Sequence, residues 1–188
     1  MPDTDDVQRC GVLPVKAAFA TLIACAALPS VARADGFDQD SQVMFGVMAS
    51  YIPQQNNLQS DVAAIGHYVA FSHNIDFVYV GIRLALLYGW SPSGGGQQYL
   101  IDPDAFLGVK LKVLTPLTLK LELGTGPLVN GGSGFSTAII EHGYLRGAAQ
   151  LRVVKSVSVE AFAGPSLVIG STVVGAFAEF GLGCGWSF

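Results

Sequence analysis

Charge is what this sequence has least of. Lys, Arg, Asp and Glu make up 13% of its 188 residues, against 51% apolar residues, whereas a soluble domain averages about 25% charged residues. The groups that normally face water are too few here. Basic clusters are missing as well, and a formal charge of −4 leaves nothing to neutralise phosphates, which argues against nucleic acid as a partner. Beyond the first 34 residues no apolar run reaches the ~18 residues a helical membrane span requires. Cysteine is scarce too. Only Cys10, Cys25 and Cys184 occur, and an N-terminal leader takes the first two, so the remainder has no pair for an internal disulfide. Cys184 stands in an apolar row and reads as a small hydrophobe.

The leader is residues 1–34. Lys16 precedes the apolar stretch AAFATLIACAALPSVA, which runs to Ala32-Arg33-Ala34 ahead of Asp35, an A-x-A cleavage signature. A cleaved signal peptide is the expected reading, with export following from it. The acidic opening at Asp3, Asp5 and Asp6 does not suit a basic n-region, which places the expected translation start further in, near Val12. Two alternatives stand beside cleavage: a retained membrane anchor, and lipidation at Cys25, because LIAC is similar to a lipoprotein box.

What the rest of the chain has in abundance is alternation with period two. Expected strands are Val43–Tyr51, Val62–Ser72 with ambiguous facing, Phe77–Trp90, Ala105–Val113, Leu117–Gly124, about Phe135–Val154, Val157–Gly164 and Gly175–Phe188. Their connections alternate between long loops and tight turns. The seven Asp residues after the leader fall in the expected tail, turns and loops, as their poor strand propensity suggests, and the four Glu residues fall in strands.

The two faces of these strands differ in kind. Leu107, Val109, Leu111 and Val113 oppose Gly108, Lys110 and Lys112; Leu117 to Leu123 oppose Thr118, Lys120 and Glu122. In the last strand Ala176, Ala178, Phe180, Leu182, Cys184, Trp186 and Phe188 oppose a row of glycines holding Glu179. Glycine weakens a strand, so a water-facing row has no use for it. The interior of an eight-stranded barrel does, being only just wide enough for its own side chains. The glycine row is therefore assigned to the lumen and the apolar row to lipid. A lumen charge network of Arg83, Lys110, Lys112, Lys120, Arg146 and Arg152 with Glu122, Glu160 and Glu179 is expected. Tyr51, Tyr88, Trp90, Trp186 and Phe188 end strands, where aromatic rings collect at membrane interfaces.

This leader, eight alternating strands and the terminal Gly-Trp-Ser-Phe resemble the small outer-membrane barrels of the OmpA/OmpX type. The resemblance implies an all-β, eight-stranded antiparallel up-and-down transmembrane β-barrel over residues 41–188, a periplasmic tail at 35–40, a Gram-negative outer membrane and a monomer. It also implies that Phe188 belongs to the signal read by the barrel-assembly machinery, with outer-membrane lipids or lipopolysaccharide as surroundings.

Catalytic chemistry is not evident. The His-x-Ser arrangement of lipid A deacylases is missing, since His67, His73 and His142 are followed two positions on by Val69, Ile75 and Tyr144. Glu141 and His142 are adjacent, so in a strand they point to opposite faces; His142 is read as an ordinary polar residue near the rim. Asp102-Pro103-Asp104 is read as a turn, not a calcium site. The glycines at 94–96 and at 131, 132 and 134 lack the Lys-Ser/Thr of a phosphate loop. No catalytic residue, metal ligand or cofactor is expected. Expected function is structural or surface-interacting (adhesion-like), through loops 53–61, 91–104 and 125–135. The alternatives are a lipid A- or phospholipid-modifying enzyme, a porin-like narrow solute pathway, and a soluble lipocalin-like binder with its apolar rows inside.

Overall fold

Period-two patterning and short turns dictate antiparallel neighbours, and the computed structural model closes them into a ring. It describes residues 41–52, 62–90, 97–132, 135–169 and 174–188. The expectations for the signal peptide, Cys25, the tail at 35–40, loop residues 53–61 and 91–96, and Gly134 lie outside the described residues. The strands are β1 (Ser41–Ile52), β2 (Val62–Ile75), β3 (Val78–Trp90), β4 (Gln98–Lys112), β5 (Leu117–Gly132), β6 (Phe135–Val154), β7 (Val157–Ile169) and β8 (Val174–Ser187). Each pairs with the next, and β1 pairs with β8. Closure leaves no sheet edge along the body of the barrel, as a lipid setting demands. Both ends of the chain meet at the seam, where Ser41 and Phe188 exchange backbone hydrogen bonds of 3.2 and 3.0 Å.

Three tight turns lie at the end that holds Ser41 and Phe188. Asp76 and Phe77 join β2 to β3, with Asp76 at a φ of 59°, a conformation that Asp tolerates better than most residues. Lys155 and Ser156 join β6 to β7, and Val113 to Pro116 join β4 to β5. The opposite end carries the loops.

Several strands run further toward the loops than local propensity suggests. β4 begins at Gln98, β5 extends to Gly132, and β7 continues through Pro165 to Ile169. The Asp102-Pro103-Asp104 turn is therefore corrected to strand, as are the parts of loops 91–104 and 125–135 that these strands take up. Proline is tolerated because the ladder opens around it. Between β4 and β5 the pairing stops at Ile101↔Val129 and resumes at Ala105↔Thr125; between β6 and β7 it lapses between Tyr144↔Ser166 and Gly147↔Ala163, opposite Gly164 and Pro165. Such gaps are where a strand can lack an N–H.

The facing follows the alternation. Leu107, Leu111, Leu121, Leu123, Ile82 and Leu182 point outward and are 51–66% exposed. The lipocalin-like arrangement, with apolar rows around an internal ligand, is not the one found. β2, ambiguous from sequence, directs Val62, Ala64, Tyr68 and Ser72 inward and Ile65, Val69 and Phe71 outward.

The lumen is filled, and glycine makes this possible. Register sets Tyr68 opposite Gly46, Tyr79 opposite Gly108, Phe106 opposite Gly81, Tyr144 opposite Gly124 and Phe162 opposite Gly181. A Cβ on Gly108 would collide with the Tyr79 ring, and one on Gly124 with the Tyr144 ring. Each inward aromatic lies across a partner that has no side chain. This is cross-strand complementarity of the kind that stabilises sheets.

Candidate functional site: the lumen

The lumen is layered. Toward the loops, Leu87, Leu100, Leu128, Val168 and Phe177 converge from five strands into a buried apolar plug, part of an apolar cluster that continues down the wall through Met48, Tyr68, Phe162 and Met44. Beneath it lies the charged layer, and below that a polar one that reaches the turn end.

The charged layer is built on β3, β4, β5, β6 and β8. Arg83 forms ion pairs with Asp104, with Asp102 at 3.6 Å and with Glu179 at 3.9 Å. Arg146 donates from Nη2 to Glu179 at 2.7 Å and from Nη1 to Glu122 at 3.4 Å. Tyr144 and Tyr79 donate to the two Glu122 oxygens at 3.0 and 3.3 Å. The Tyr144 ring is also flanked by both guanidiniums, 4.6 Å from Arg83 and 4.4 Å from Arg146, which adds cation–π attraction in a desolvated place. His142 stacks on Phe177 at 5.3 Å between centroids. Its Nδ1 lies 3.1 Å from Asp102 Oδ1, and its Nε2 3.5 Å from Glu179 Oε1.

The polar layer is anchored by Lys120, 2.7 Å from Glu160 and 3.4 Å from the Gln42 side-chain oxygen. Gln42 and Gln150 each donate to the Ser158 hydroxyl at 2.8 Å. Between the two layers a cavity of about 30 Å³, bordered by Tyr68, Tyr79, Arg83, Lys120, Arg146 and Phe162, holds at most about two waters.

Of the nine residues expected in a lumen charge network, Arg83, Lys120, Glu122, Arg146, Glu160 and Glu179 come together here. Lys110 lies on the same inward row, half-buried and opposite Lys120. Lys112 and Arg152 are corrected: both are exposed at the turn end, because β4 terminates at Lys112 and β6 ends two residues beyond Arg152. The aromatics Tyr51, Tyr88, Trp90 and Phe188 are exposed on the outer face, 43–68% accessible, and Trp186 lies half-buried beside Phe188, with ring centroids 6.0 Å apart.

Asp102, Asp104 and His142 are lumen residues that sequence reasoning missed. The rim reading of His142 is corrected: it is 1% exposed and faces inward, while Glu141 faces out. A signal was present. Leu100, Asp102, Asp104, Phe106 and Gly108 share one parity, so continuing the inner row of β4 backwards through Pro103 reaches both carboxylates.

An apolar exterior around a charged, filled interior defines a class: the small eight-stranded outer-membrane barrel. Solved structures of this class share the fold. The crystal structure of Neisserial surface protein A (NspA) aligns with a TM-score of 0.67 at 10% identity over 79% of this chain and 97% of that one. Ail, the attachment invasion locus protein of Yersinia pestis, aligns at 0.55 and 12% identity over 81% and 100%. The outer membrane protein OprG from Pseudomonas aeruginosa aligns at 0.52 and 11% over 81% and 98%. At these identities the likeness is one of fold. No protein-family model matches the chain, and no curated protein sequence matches it.

Proposed function

We propose that the chain is a monomeric, non-enzymatic protein of a Gram-negative outer membrane, exported through a cleaved leader and inserted by the barrel-assembly machinery. It acts at its loop end, as a structural or adhesion-like surface element. The observation that supports this reading most is the filled lumen: among the described residues an apolar plug over paired charges leaves no open route for solute. What remains available for interaction is the rim with its loops at 53–61, 91–97 and 133–134, connections carried on a barrel scaffold, where binding function usually sits.

Fractionation and binding test it together. Cells expressing the protein should yield it in the outer-membrane fraction and adhere to a surface coated with extracellular-matrix protein. Replacing residues 53–61 and 91–96 by Gly-Ser segments of equal length should abolish adhesion while the barrel still folds. Recovery in the soluble periplasm without detergent would overturn the membrane assignment, and unchanged adhesion after both replacements would overturn the surface role.

A further inference from the structure

We propose that Asp102, His142 and Glu179 form a site inside the barrel for one divalent transition-metal cation of the zinc class. Each residue offers a donor atom, and the three atoms lie within 4.8 Å of one another. The side chains are at most 2% exposed. They come from β4, β6 and β8, no two of which are neighbours, so the cluster is not a by-product of one cross-strand pair.

The carboxylates are divided in the same way. Asp102 turns Oδ2 toward Arg83 and Oδ1 toward His142 Nδ1. Glu179 turns Oε2 toward Arg146 and Oε1 toward His142 Nε2. Asp104 repeats the pattern, with Oδ2 on Arg83 and Oδ1 3.4 Å from His142 Nδ1. Three carboxylate oxygens thus converge on one imidazole, each left over after the guanidiniums have taken its twin.

Charge points to what belongs between them. Lys120 is matched by Glu160, and Lys110 lies at that same lower level. Above them the carboxylates of Asp102, Asp104 and Glu179 converge on His142 beside the guanidiniums of Arg83 and Arg146, three negative charges against two positive. Burying such an excess is costly unless it is paired. A cation held among these oxygens offsets it. Two lone-pair atoms in the cluster, His142 Nε2 and Asp104 Oδ1, are also buried without a hydrogen-bond partner. One imidazole nitrogen with carboxylate oxygens suits zinc and its neighbours, and is too small a set for the six to eight oxygens that calcium takes. With Nε2 as the binding atom, Nδ1 is placed to donate to Asp104 Oδ1, 3.4 Å away, a carboxylate being the usual partner of a metal-bound His. Such an ion would brace three non-adjacent strands beneath the apolar plug. This inference does not rest on the surface role.

The test uses the barrel unfolded in urea with a chelator, then refolded into detergent micelles in the presence of Zn²⁺ and dialysed free of excess metal. Elemental analysis should find one zinc per barrel. Free Zn²⁺ at 100 times its Kd should shift the unfolding equilibrium about a hundredfold toward the folded state. Asp102→Asn, His142→Gln and Glu179→Gln should each lose the metal, and Glu160→Gln should keep it. X-ray absorption at the zinc edge of the wild-type protein should show a single imidazole with oxygen ligands. A wild-type barrel that folds without stoichiometric zinc, zinc retained by all three cluster variants, or an edge spectrum lacking imidazole would each overturn the proposal. The wild-type stoichiometry and spectrum decide the matter even where a variant fails to fold.

Discussion

Toward its loops the lumen is packed with Leu87, Leu100, Leu128, Val168 and Phe177; from the middle to the turns it holds Arg83, Arg146, Glu122, Lys120, Glu160 and Gln42. Both halves are tight, but for different reasons. The apolar half is held by shape, and its members tolerate exchange for residues of similar size. The charged half is held by pairing in a place that water scarcely enters, where each partner is needed to offset the desolvation of the other. The plug and the network are also coupled, since excluding water from one end strengthens every charge interaction below it.

Removing one partner should separate the two halves most clearly. Arg83→Met leaves Asp104 and Asp102 facing each other, and should cost about 3–5 kcal/mol of folding stability, the usual penalty for breaking a buried ion set. Urea unfolding of the barrel in lipid vesicles checks this. A loss no larger than that of a plug truncation would show that the network is not desolvated.

The outer face provides the next contrast. Leu121 is 51% exposed on the outer row, and Leu121→Arg should cost about 2–4 kcal/mol if it lies near the bilayer midplane. Thr118→Arg, on the inner row near the turn end, should cost less. Equal losses in the same vesicle assay would contradict the facing.

Within the plug, Leu87→Ala should cost about 2–3 kcal/mol, the lower part of the range for truncating a buried Leu, because neighbouring plug side chains can close part of the void. Gly124→Ala should cost about 1–3 kcal/mol through overpacking, since the new methyl displaces the Tyr144 ring. That ring carries a hydrogen bond to Glu122 and stands between Arg83 and Arg146. The paired variant Gly124→Ala/Tyr144→Ala should therefore recover little stability, which differential unfolding of the two proteins would reveal.

The same contrast explains what could be read from the chain. The outer row was legible residue by residue, because lipid imposes one requirement on every outward position and Leu117 to Leu123 or Ala176 to Phe188 satisfy it without exception. Eight strands and the turns at Lys155 and near Asp76 followed from the same alternation. The inner row was legible as glycine with charges, but not as the surface those glycines accommodate. Tyr68, Tyr79, Phe106, Tyr144 and Phe162 are meaningful only through the register that puts a glycine opposite each, and register between distant strands is not a local property. Asp102 and Asp104 were hidden by propensity: an Asp-Pro-Asp run favours a turn, yet tertiary pairing with β3 and the guanidinium of Arg83 hold it extended. His142 was hidden because its partners lie 40 and 37 positions away in sequence, on β4 and β8.

The filled lumen is tested most directly by the current through single purified barrels in a planar lipid bilayer. The layered plug and network predict no discrete conductance steps, in wild type and in Lys112→Ala alike, since the exposed Lys112 lies outside both layers. Stable ohmic steps in the wild type that vanish on substitution of Arg146 would show an open pathway through the charged layer, and would contradict a lumen closed by its own side chains.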